Sequence, residues 1–207
     1  MVAIFQGGGI FTYAILGIFI IALGLFCERA YFLYFQLKLN ADDTLQRIAL
    51  LVEKTNIRGA LEECVKIEKH PLGRTLKAGL LRVNKKDKEI ERAMEEKILR
   101  EIPVIRARIN YLAMLSIVSI LLGFLGTVVG LINSLKEMVG QAPPNATEVL
   151  IGGISQAMVS VAFGFMVAIP CLIGYFVLDS RGNYLIAQLK EKTLSLFNAL
   201  STLKGNA

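Results

Sequence analysis

Three long runs without a charged residue, 1–27, 109–135 and 149–178, constrain this chain more than any other feature of its sequence. At about 1.5 Å of rise per residue, each can cross a hydrocarbon layer roughly 30 Å thick, and each exceeds the roughly 18 apolar residues that mark a spanning candidate. One such run could be the buried helix of a soluble core, whereas three predict an all-α membrane protein with three transmembrane helices. A composition of 54% hydrophobic and 19% charged residues fits a small integral membrane protein with one sizeable polar portion.

The net charge of +6 does not point to nucleic acid. Of the 23 Lys and Arg residues, 18 fall between Glu28 and Asn110, together with 13 of the 17 acidic ones. Mixed charge of this kind solvates helices, and it lacks the basic, aromatic-interleaved face of a nucleic-acid binder. The bias of Lys and Arg also orients the chain. MVAIFQGGG has no basic residue and ERAYFLYFQLK opens the basic segment, so the N-terminus is expected outside and the residues after about Glu28 in the cytoplasm. With no basic n-region before the first apolar run, a cleaved signal peptide is not expected.

The predicted layout follows. Residues 1–34 are an N-terminal periplasmic end and first span, 35–108 a cytoplasmic helical segment, 109–135 the second span, 136–148 a periplasmic loop, 149–178 the third span, and 179–207 a cytoplasmic C-terminal helix. Within 35–108, apolar residues at helical spacing predict two short amphipathic helices between Asp42 and Glu68, separated near Asn56 to Gly59. Pro71 and Gly73 should break the second, and a further short helix follows in TLKAGLLRV. Ile90, Met94, Ile98, Ile102, Ile105 and Ile109 form a seam that predicts one helix running straight into the second span, kinked by Pro103.

The second span carries its small and polar residues, Ser116, Ser119, Gly123, Thr127, Gly130 and Ser134, at steps of three and four. The third carries Gly152, Gln156, Ser160, Gly164 and Ala168 at steps of four, with Pro170 beyond them. Such faces can pack on one another, because small residues let backbones approach, or they can line a shared interior. Packing accounts for glycine and alanine, including Gly126. Gln156 can be satisfied by one interhelical hydrogen bond and Thr127 by a carbonyl of its own helix. Several copies around an axis would instead turn these faces into a polar lumen.

Enzyme chemistry is not expected. Cys27, Cys64 and Cys171 match no metal or disulfide framework, and His70, the only histidine, precedes Pro71 in a turn-like EKHPLG. No catalytic set, metal cluster or phosphate loop is present.

LREIP at 99–103, GFLGTVVGLINSL at 123–135, ISQAMVSVAFGFMVAIPCLIGY at 154–175 and PLGRTLKAGL at 71–80 resemble the corresponding segments of the MotA/TolQ/ExbB family, nearest its ExbB and TolQ branch. The resemblance implies a bacterial inner-membrane ring, a homopentamer in several members, around a dimer of a single-span protein of the ExbD or TolR kind. That partner carries a transmembrane aspartate. A TonB- or TolA-like effector and membrane lipid complete the implied partners, without nucleic acid. The implied function is a stator driven by H+ or Na+ that does mechanical work in the periplasm, with no cofactor beyond the coupling ion.

Carried onto this chain, the family's second-span threonine falls on Thr127. The ion path is then expected along Thr127, Gln156, Ser160, Ser134, Gly123 and Gly130, with Gly126, Gly152, Gly164 and Pro170 serving helix packing. Two positions depart from the pattern. Gln156 stands where the branch usually has a glutamate and Val161 where it has a threonine; the first cannot exchange a proton and the second offers no hydroxyl. The glutamine fits a path that relies on the partner's aspartate alone, a Na+ scheme in which Thr127 and Gln156 help to coordinate the cation, or a substitution made to block conduction; the alternative function these departures support is a non-conducting scaffold ring that has lost the ion path.

Overall fold

The computed structural model of the protein describes residues 9–37, 41–54, 56–139 and 143–205. The order is α1 (Gly9–Tyr31), a π-helical turn (Phe32–Gln36), α2 (Ala41–Glu53), α3 (Ile57–Lys66), α4 (Pro71–Leu80), α5 (Asp87–Arg106), α6 (Ile109–Met138) and α7 (Pro143–Gly205). No strand occurs among the described residues. The stretches 10–36, 87–138 and 146–202 each hold a helix long and apolar enough to cross a membrane. Residues 1–8 of the expected N-terminal end and 140–142 of the expected loop lie outside the described residues.

The chain forms two compact units. One, the apolar unit, consists of residues up to Arg29 and Arg108–Leu178; the other, the charged unit, consists of Ala30–Ala107 and the chain from Asp179 onward.

The charged unit is a helical bundle with a conventional core. Leu72, Leu76, Leu80, Ile90 and Met94 are buried together with Leu189 and Leu196 of α7, and each such side chain contributes about 1.5–3 kcal/mol by leaving water. Cys64 belongs to the same cluster. Burial pushes its thiol up to about 11, with Glu63 adding to the shift, which suits a packing residue.

Local chemistry sets the helix starts. The Asn56 side chain accepts the Gly59 N–H at 3.0 Å and opens α3. His70 Nδ1 accepts the Leu72 N–H at 3.1 Å, while Pro71 fills the first helical position of α4, where its missing donor costs nothing. Pro71 therefore begins a helix, and His70 is its cap. Gly73 is required because a Cβ there would strike the Ile67 carbonyl at the end of α3.

One expectation about continuity is corrected. The helix expected to run from Lys86 into the second span stops at Arg106, and Arg108 adopts a left-handed conformation with φ 62°. A non-glycine residue there costs about 1–2 kcal/mol. Arg108 Nη1 donates to Glu28 Oε1 at 2.6 Å within the apolar unit, an ion pair that helps to hold the turn. Pro103 lies inside α5, and the interruption comes at Ala107–Arg108 instead. The third span and the C-terminal helix form one 63-residue helix that contains Pro170.

Candidate functional site in the apolar unit

A stripe of small residues on α6 meets a stripe on α7. The Ser116 hydroxyl donates to the Ala168 carbonyl at 3.0 Å. A Cβ on Gly164 would lie 2.9 Å from the Ser119 carbonyl, one on Gly123 would lie 3.1 Å from the Ser160 carbonyl, and one on Gly130 would lie 3.6 Å from Ala157. A Cβ on Gly153 would overlap the Ser134 side chain. Contact positions rise on α6 as they fall on α7, so the helices are antiparallel. Their backbones approach because no side chain stands between them, and dispersion contacts multiply along the seam.

Several expected site residues lie inside this seam. Gly123, Gly126, Ser134, Ser160 and Gly164 are buried against the chain's own helices. Ser134 donates to the Gly130 carbonyl at 3.0 Å and Ser160 to the Gln156 carbonyl at 3.5 Å. Gly130 is half-buried on Ala157.

Thr127 and Gln156 lie elsewhere. Thr127 is one residue past Gly126, hence about 100° round the helix, half-buried, with its hydroxyl donating to the Phe124 carbonyl at 2.6 Å. On α7 the seam runs through Gly153, Ala157 and Ser160, which leaves Gly152 and Gln156 one residue before it and exposed. In an antiparallel pair, residues just past the seam on both helices share a flank, and residues just before it share the other. Phe124 and Phe165, each one past a packed glycine, accordingly meet edge to face with centroids 6.3 Å apart. Thr127 and Val161 share this flank; Gln156 is on the opposite one. The structure does not bring Thr127 and Gln156 of one chain together.

The first helix packs away from the Thr127 flank. A Cβ on Gly126 would lie 3.2 Å from Phe11, and one on Gly174 would lie 2.9 Å from the Phe26 ring. Pro170 is exposed and lines an apolar cavity of about 300 Å³ with Phe19, Leu23, Phe26 and Ile173. Sequence reasoning missed Thr12. Its hydroxyl and that of Ser119 are both buried without a hydrogen-bond partner, and nothing in the pattern GIFTYAIL marks Thr12 as buried.

Two of the segments that resemble the family meet in the charged unit. Arg74 of PLGRTLKAGL donates from Nε to Glu101 Oε1 at 2.8 Å and from Nη2 to Oε2 at 2.5 Å, and Glu101 belongs to LREIP. The Glu101 side chain is 5% exposed, so this bidentate pair is largely desolvated. Arg74 Nη1 also donates to the Glu68 and Lys69 carbonyls just past α3. The hydrogen bonds to Glu101 raise the guanidinium pKa further.

Residues 67–191 match the MotA/TolQ/ExbB proton channel family. The chain is 30% identical to the Synechocystis protein named biopolymer transport protein ExbB-like 3, over 91% of this chain and 89% of the relative. It is 33% identical to the biopolymer transport protein exbB1 of Vibrio cholerae over 44% of this chain and 39% of that one. It is also 33% identical to TolQ of the Tol-Pal system of Haemophilus influenzae, over 44% and 40% respectively. With its three apolar helical stretches, this chain is a membrane-embedded transport component that belongs to the MotA/TolQ/ExbB proton channel family, in its ExbB and TolQ branch.

Proposed function

We propose that the protein is the ring-forming subunit of an ion-driven motor in the bacterial inner membrane, with its N-terminus periplasmic and its C-terminus cytoplasmic. Copies of the chain, five in this reading, surround a dimer of a single-span ExbD- or TolR-like protein whose transmembrane aspartate carries the coupling ion, H+ or Na+. One charge moved through roughly 100 mV releases about 2.3 kcal/mol, and a few such steps supply a mechanical stroke to a TonB- or TolA-like effector.

The observation that carries this reading is the free flank of the α6 and α7 pair. The seam is closed within each chain and α1 packs on the far side, so the flank that carries the half-buried Thr127 is left for a surface shared with other chains. Around an axis, that flank lines the lumen and Thr127 faces the partner's aspartate. Gln156, on the other flank, then faces the neighbouring copy.

The absence of an acid at 156 favours one second reading, a ring that assembles around its partner without conducting. Proton or sodium flux into vesicles holding the chain and its co-expressed partner separates the two. The motor reading predicts measurable flux that Thr127→Ala lowers at least about tenfold, a rise of roughly 1.4 kcal/mol in the rate-limiting barrier. Flux unchanged by Thr127→Ala would remove Thr127 from the path. An intact ring without flux, in the wild type and in Gln156→Glu alike, would establish the scaffold.

A further inference from the structure

Arg181 sits in a setting unlike those of Arg74 and Arg108, which pair with carboxylates. It follows Leu178, the last residue of the third uncharged run, by three positions on α7. Its guanidinium carbon lies 5.3 Å from the ring centroid of Tyr34 and 5.2 Å from that of Tyr184, so the cation is held between two aromatic rings. Tyr34 comes from the π-helical turn, an arrangement that redirects one turn of helix. Nε is buried without a hydrogen-bond partner, and no carboxylate or carbonyl of the described residues bonds the guanidinium. The neighbouring acid is already engaged, because Asp179 Oδ2 accepts from Asn183 at 2.9 Å. The Tyr184 hydroxyl is tied to Gln188 Nε2 at 2.9 Å.

Two aromatic faces fix the position of a cation and contribute attraction, but they accept none of its planar donors. A guanidinium so held is ordered without being neutralised, and its fork matches two oxygens of a phosphate. Exposed Tyr31, Tyr34 and Phe35 lie in the same unit, and aromatic rings of this kind settle at headgroup level in a bilayer. A soluble phosphate has no reason to sit beside them.

We propose that Arg181, clamped by Tyr34 and Tyr184, is a binding site for the phosphate of an anionic phospholipid at the end of the third span. The site requires only that the chain be membrane-embedded, so it stands or falls separately from the motor reading.

The test uses the full chain in detergent, with dioleoyl phosphatidylglycerol titrated in and bound lipid counted by native mass spectrometry. Phosphatidylcholine and inorganic phosphate serve as comparison probes. Phosphatidylglycerol should bind in preference to phosphatidylcholine, and millimolar inorganic phosphate should not displace it. Arg181→Gln should weaken phosphatidylglycerol about fivefold to tenfold, in line with the loss of one headgroup contact to a basic residue. Arg181→Lys, which keeps the charge without the fork, should lose less. Tyr34→Leu with Tyr184→Leu should reproduce a large part of the Gln effect at unchanged helix content. Equal binding by wild type and folded Arg181→Gln would overturn the proposal, and so would displacement by inorganic phosphate, which would make this a soluble-anion site.

Discussion

The two units of this chain are held together by opposite means. In the charged unit, large side chains fill the space between helices: Leu72, Leu76, Leu80 and Met94 are all nearly inaccessible, and a desolvated pair of Arg74 and Glu101 joins α4 to α5. In the apolar unit, α6 and α7 join where side chains are missing, at Gly123, Gly153 and Gly164. The reason is solvent. Burying leucine gains free energy against water but little against lipid tails, so helices already in hydrocarbon associate through close backbone approach.

Substitutions that change volume should therefore act in opposite directions in the two units. The largest expected effect is Leu76→Ala in the charged unit, about 2–5 kcal/mol of destabilisation from the cavity it leaves, read as a lower denaturant midpoint by circular dichroism. Gly164→Ala should cost about 1–3 kcal/mol, because the added Cβ would press on the Ser119 carbonyl, which is backbone and cannot rotate away. Unfolding in detergent micelles measures it, and an unperturbed variant would show that the seam is looser than described.

A smaller effect separates the units by pH. Burial lowers the His70 pKa; the Leu37 carbonyl opposes this, Arg74 adds to it and Glu101 opposes it. Neutral imidazole is also the form whose Nδ1 can accept from Leu72. The contribution of His70 is therefore fully present above the unfolded value of 6.5 and is lost as pH falls below it toward the depressed folded value. His70→Asn, which caps without titrating, should flatten the stability profile between pH 7.5 and 5.5. A slope unchanged by that substitution would take His70 out of the account. The smallest effect is Gly152→Ala, with nothing within 4 Å of its Cβ. Stability should change by less than about 0.5 kcal/mol, and any larger loss confined to the assembled state would place a neighbouring copy there.

Much of this architecture is legible in the residues. Three uncharged runs suffice for the apolar helices, and the spacing around Asn56 suffices for the pair of short amphipathic ones. The seam is less legible on α7 than on α6. Steps of four drift by about 40° each on a 3.6-residue helix, so a line drawn through Gly152, Gln156 and Ser160 wanders off the contact. Alternating steps of three and four through Gly153, Ala157, Ser160 and Gly164 stay on it. Thr127 shares its face with the seam by composition and leaves it by one residue of register. The break at Arg108 and the pairing of Arg74 with Glu101 depend on partners 80 and 27 positions away, and local pattern carries no record of such distances.

The central claim is that each chain closes its own small-residue seam and turns the Thr127 flank toward a water-bearing lumen. It is tested most directly by placing single cysteines at 127 and at 160 in a chain with Cys27, Cys64 and Cys171 replaced, and labelling native membranes with a water-soluble thiol reagent in the absence of the partner. Thr127→Cys should be modified and Ser160→Cys protected. Modification of Ser160→Cys, or of Thr127→Cys only by a lipid-soluble reagent, would contradict the account.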